Sequence, residues 1–96
     1  MRPGREAQVL RKRLAAHDGA FPVAAIYVPI ARRKTLDPAR VGAIAESMLQ
    51  DGQQTPILVR SDGARFVLVE GLHRLEAAKA LGEATIVGFR VDARKH

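Results

Sequence analysis

Residues 67–82, Val-Leu-Val-Glu-Gly-Leu-His-Arg-Leu-Glu-Ala-Ala-Lys-Ala-Leu-Gly, decide how this chain is read. An apolar run ends at Glu70, Gly71 interrupts it, and Leu72, Leu75, Ala78 and Leu81 then recur at helical spacing. At ~100° per residue these four cover roughly half a helix circumference, enough to pack on a sheet and on a neighbouring helix. A helix start leaves backbone N–H groups unpartnered and carries partial positive charge, so it draws phosphate. Gly71 puts no side chain between an anion and the backbone. Arg74 adds a permanently charged fork whose side chain leans back toward the helix start. The spacing predicts a strand–glycine–helix unit with the chain's ligand site at its junction.

Working outward, Arg65 to Glu70 read as a strand paired with residues 56–60 in a hairpin turned at Asp62-Gly63. Upstream, Asp37-Pro38 marks a helix start, with Asp as N-cap and Pro at the first helical position. Val41, Ile44, Ala45, Met48 and Leu49 follow the spacing of a core-facing helix, and Gly52 is its natural C-terminal cap. Residues 24–30 read as a first strand ending near Pro29, followed by a basic loop from Ala31 to Thr35. Ala84 to Val91 read as the final strand. The expected core is Val41, Ile44, Met48, Leu49, Leu75 and Leu81. Residues 5–16 can form a short amphipathic helix with Ala7, Leu10 and Leu14 on one side, marginal by itself at about 12 residues. The expected division is therefore a basic N-terminal segment, 1–20, helical or mobile, and a folded domain, 21–96.

Ninety-six residues, 47% of them apolar, make one small domain. No apolar run reaches the ~18 residues of a membrane span, and the basic N-terminus lacks the apolar stretch of a secretory signal. With no cysteine there is no disulfide, thiolate zinc site or thiol nucleophile. A cytoplasmic location is expected. The net charge of +6 suits a polyanionic partner. It is concentrated in Arg2, Arg5, Arg11, Lys12 and Arg13, in Arg32, Arg33 and Lys34, and in Arg90, Arg94 and Lys95. Arg11, Arg13, Arg32 and Arg33 are candidates for contacts with DNA or phosphate. Ser47 and Ser61 have no base beside them that marks a nucleophile, and no metal-ligand spacing is present.

The order of strand, Arg-Arg loop, Leu-Asp-Pro helix, Gly52-Gln-Gln-Thr-Pro-Ile-Leu-Val-Arg60, hairpin, Phe66–Gly82 unit and final strand resembles the N-terminal domain of the ParB family over about residues 24–91. The resemblance implies an α+β fold, a small mixed sheet packed with helices, shared with sulfiredoxin and a group of free-serine kinases. It also implies a nucleoside triphosphate at the glycine-led helix start. In partition proteins that motif reads Gly-Glu-Arg-Arg and holds the triphosphate of CTP. Here it is Gly71-Leu72-His73-Arg74, so the glycine and last arginine match and His73 replaces the first arginine. The residue after the glycine is the catalytic cysteine in sulfiredoxin, and Leu72 excludes that chemistry. Gln54, Thr55 and Pro56 resemble the stretch lining the nucleobase pocket.

The implied ligand is CTP or ATP, with or without Mg2+. The implied setting is DNA or a DNA-bound protein in plasmid partition, chromosome segregation or transcription regulation, with homodimerisation left open. Partition proteins continue into a second phosphate motif, a helix-turn-helix domain and a dimerisation segment, and this chain ends at His96, so sequence-specific DNA recognition is not expected of it alone. Two alternatives stand beside nucleotide binding. One is an enzyme on the same fold, a nucleotide hydrolase, phosphotransferase or nuclease, with Glu70 as its catalytic carboxylate. The other is a non-catalytic basic adaptor for DNA or protein.

Overall fold

A computed structural model describes residues 19–53 and 55–91. Strand β1 (Gly19–Pro22) leads through a 3-10 turn (Val23–Ala25) into the short β2 (Ile26–Tyr27), one turn of helix α1 (Ile30–Arg33) and helix α2 (Pro38–Asp51). The hairpin β3 (Ile57–Asp62) and β4 (Arg65–Glu70) follows, then helix α3 (Leu72–Ala80) and β5 (Thr85–Val91). The five strands form one mixed sheet in the order β1-β5-β3-β4-β2. β5 and β3 are parallel, as are β4 and β2, while the other two pairs are antiparallel. This is the α+β mixed sheet with helices that the sequence predicts.

Alternation along β3 and β5 turns Ile57, Val59 and Ile86 inward. They meet Leu72, Leu75 and Ala78 from α3, and Phe21, Val23, Ile26 and Val28 from the N-terminal strands, in one core. Phe21 packs edge-on to Phe66 with ring centres 5.0 Å apart. Leu75 is fully buried, so α3 is the helix that closes the sheet.

α2 begins and ends as its sequence directs. The Asp37 carboxylate accepts from the Ala39 N–H at 3.1 Å, Pro38 opens the helix, and Gly52 closes it at φ 78° with its N–H on the Met48 carbonyl. Its burial differs from expectation. Val41, Ile44, Met48 and, just past the end of α3, Leu81 are half-buried, and Leu49 is 72% exposed. The reason is geometric: α2 packs against α3 rather than on the sheet. One helix neighbour covers a narrow stripe, and Leu49, about 80° round from Val41 at ~100° per residue, falls outside it.

The N-terminal region also departs from the expected single strand over 24–30. Ala24 and Ala25 lie in the 3-10 turn, only Ile26 and Tyr27 pair with β4, and part of the expected 31–35 loop is helix α1. β1, which the reading did not anticipate, is an edge strand running antiparallel to β5. The expected 5–16 helix, Arg11, Arg13 and Gln54 lie outside the described residues.

Candidate phosphate site at the start of α3

Gly71 adopts φ 110° and ψ 33°, a left-handed conformation that side chains resist. A Cβ there would meet Ile57 Cγ2 at 2.7 Å. Both the turn and the close approach to β3 therefore require glycine. Glycine provides no capping side chain, and the first helical bond is from the Leu75 N–H to the Gly71 carbonyl, at 2.9 Å. The amides of residues 72–74 lie ahead of that bond, at the positive end of the helix.

Arg74 stands in the first turn of this helix and feels the charge of a second arginine. Arg74, half-buried, has its pKa lowered by burial and then by the positive charge of Arg40 on the first turn of α2. Among the described residues no carboxylate pairs with Arg74, the nearby Glu70 included. Like charges held together without a counter-ion favour an anion between them. Arg40 was not singled out in the sequence because it belongs to a different helix, and only the packing of α2 on α3 brings it here.

His73 ties the two helix starts together. Its Nε2 accepts a hydrogen bond of 3.0 Å from the Asp37 N–H, at the N-cap of α2. Its partner is thus the backbone of the neighbouring helix. Leu72 turns into the core at 5% exposure and lends only its amide to the turn. Glu70 ends β4, exposed. Among the described residues no three His, Cys, Asp or Glu side chains gather in a metal-holding group.

The 52–56 loop reaches the same end of the sheet, because it leads into Ile57, which abuts Gly71. Thr55 is exposed and Pro56 half-buried. Gln53, a residue the sequence reading passed over, anchors this loop. Its side-chain amide donates to the Val87 carbonyl and accepts from the Val87 N–H, both at 2.8 Å, and also donates to the Thr55 carbonyl. Arg32 is exposed on α1. Arg33 is exposed too but tethered, its Nε donating to the Val28 carbonyl at 3.0 Å and its guanidinium 5.8 Å from the Tyr27 ring centre.

A five-stranded mixed sheet with a glycine-led helix start flanked by arginines defines a small α+β domain of the ParB/sulfiredoxin fold. The ParB N-terminal domain matches residues 19–95, and the chain belongs to that family. It is 36% identical over 64 residues to a probable chromosome-partitioning protein ParB of Campylobacter jejuni, an alignment covering 67% of this chain and 23% of that protein. The chain thus spans about a quarter of that relative's length. Sulfiredoxin from Arabidopsis thaliana superposes with a TM-score of 0.69 at 30% identity, over 77% of this chain and 83% of its own. The truncated chromosome-partitioning protein ParB from Caulobacter crescentus, complexed with CTP-gamma-S, superposes with a TM-score of 0.67 at 23% identity, over 76% of this chain and 43% of its own. Among the described residues no helix is long and apolar enough to cross a membrane.

Proposed function

We propose that this chain binds a nucleoside triphosphate, CTP or ATP, at the start of α3 and acts with DNA or a DNA-bound partner. The observation that carries the reading is a glycine-led helix start with Arg74 in its first turn, half-buried and with no carboxylate partner among the described residues, and with the charge of Arg40 within its reach. In this reading the amides of Leu72, His73 and Arg74 receive phosphate oxygens and the two guanidinium groups clamp them. The loop through Gln54, Thr55 and Pro56 lies against the base, and any Mg2+ arrives with the triphosphate. The Caulobacter crescentus relative, complexed with a CTP analogue, supports the choice of ligand class. The net charge of +6 and the relation to partitioning proteins support the DNA setting. The reading is one of binding, and it assigns no reaction step to Glu70.

The test is thermal melting of the full chain with CTP, ATP, GTP and UTP, each with and without Mg2+. A ligand at ten times its Kd stabilises by about 1.4 kcal/mol, or roughly 6–11 °C for a domain of this size. Arg74→Ala and Arg40→Ala should each remove most of that shift while the chain remains folded. No shift with any nucleotide at millimolar concentration would sink the proposal.

A further inference from the structure

A second concave surface runs along the flank of α3 from Leu72 onward, and Arg74 does not line it. A groove of about 590 Å3 is lined by Ala24, Ala25, Ile26 and Leu72 on its floor and by Tyr27, Arg33 and Arg65 at one wall. Leu36, Glu76 and Lys79 also line an adjoining apolar hollow of about 400 Å3 that reaches Val41 and Ala80. The two together follow α3 from Leu72 to Ala80, roughly 12 Å at 1.5 Å per residue. An extended segment of about four residues has that length. Leu36 at the rim is 40% exposed, a large apolar side chain left open beside the groove.

The charged groups of the groove are unequally committed. Glu76 and Lys79 neutralise one another at 3.2 Å, and Arg65 lies 4.1 Å over Tyr27 with its Nη2 3.3 Å from Asp62. Arg33 is different. Its Nε is fixed by the Val28 carbonyl, and its guanidinium lies beside Tyr27. Among the described residues its two terminal amines have no hydrogen-bond partner. A guanidinium held in place with its fork unused is pre-organised for a carboxylate and loses little entropy on binding one.

We propose that this groove docks a short, extended acidic segment of a partner protein, with an Asp or Glu carboxylate on the Arg33 fork and an adjacent bulky apolar side chain against Leu36, Leu72 and Ala24. Charge complementarity selects this occupant: with Lys79 paired to Glu76 and Arg65 to Asp62, Arg33 remains, among the described residues, as the cation of the groove without a carboxylate. It also argues against the chain's own basic stretch at residues 2–13, with five cations and one carboxylate. The site shares Leu72 with the phosphate turn but uses its side chain rather than its amide, and Arg33 and Leu36 belong to the groove alone, so its failure and that of the phosphate site are separable.

The experiment pans a phage-displayed library of random dodecapeptides against the immobilised full chain without nucleotide, then measures the best peptide by fluorescence anisotropy. Enrichment of Asp or Glu beside Leu, Ile or Phe is expected. Arg33→Glu should weaken the selected peptide at least tenfold, and a peptide with the acidic residue replaced by Lys should regain affinity for that variant. Leu36→Asp, at an exposed position, should weaken binding independently, with melting curves confirming that both variants fold. A library without an acidic–apolar consensus, or a selected peptide indifferent to both substitutions, overturns the proposal.

Discussion

Ile57 is fully buried between two glycines, and the geometry around it explains why this end of the sheet tolerates so little change. A Cβ at Gly71 would lie 2.7 Å from its Cγ2, and one at Gly88 would lie 2.8 Å from its Cγ1 and its carbonyl oxygen. Gly71→Ala therefore combines left-handed strain with overpacking and should cost about 2–4 kcal/mol, read as a lower urea midpoint. Gly63→Ala is the control: φ is 63° but nothing lies within 4 Å of the new methyl, so about 1 kcal/mol is expected. Arg74 behaves oppositely. It is half-buried beside Arg40 without a carboxylate partner among the described residues, so Arg74→Met should leave stability unchanged or raise it by up to ~1 kcal/mol. The same substitution should abolish the nucleotide-induced melting shift. A variant that melts earlier without ligand would show that Arg74 supports the fold instead. The local part of this site was legible: Gly71, His73 and Arg74 are neighbours in sequence. Arg40 and the His73–Asp37 hydrogen bond were not, since both depend on how α2 packs on α3.

Strand ends and the links between elements follow the same division. The two main helices, the hairpin and β5 were legible because caps, turn residues and apolar spacing coincide along the chain. β1 and β2 were not. A four-residue strand containing Gly and Pro, and a two-residue strand after a 3-10 turn, lack local signals and exist because β5 and β4 offer them edges. Gln53 shows how such an edge is completed. The pairing of β3 with β5 starts at Ile57 and Gly88, and Pro56 before it has no N–H to extend the ladder. The Gln53 side chain supplies both a donor and an acceptor to Val87 in its place. Gln53→Ala should cost about 1–3 kcal/mol by leaving the Val87 N–H without its partner. Amide hydrogen exchange localises the effect: Val87 should exchange much faster in the variant while Leu75, on α3, tracks only the global change. If Gln53 merely fills surface, the Val87 amide will keep its protection relative to Leu75.

At the scale of the whole molecule the excess of positive charge can be tested apart from any nucleotide. The net charge of +6 is spread over three clusters rather than along one face of a helix. A chain that meets duplex DNA through such clusters binds phosphates without reading bases, so log Kobs should fall linearly with log salt concentration, by about 0.9 per phosphate contact. Removing a contact lowers that slope whatever the DNA sequence. Arg11 and Arg13 both sit in the densest cluster, so the Arg11→Ala, Arg13→Ala double variant should flatten the slope by roughly 1.8. Arg32→Ala, which removes an exposed cation from α1, should flatten it by roughly 0.9. Arg33→Ala should change it least, because the unused fork of that guanidinium lines the groove beside Tyr27, which Arg32 does not. Fluorescence anisotropy on a labelled duplex across a salt series measures all three. A wild-type slope near zero removes direct DNA contact and leaves a DNA-bound protein as the partner through which the domain would act. Equal flattening by Arg32→Ala and Arg33→Ala would mean instead that Arg33 leaves its seat when DNA binds, so DNA and the acidic segment would compete for the same guanidinium.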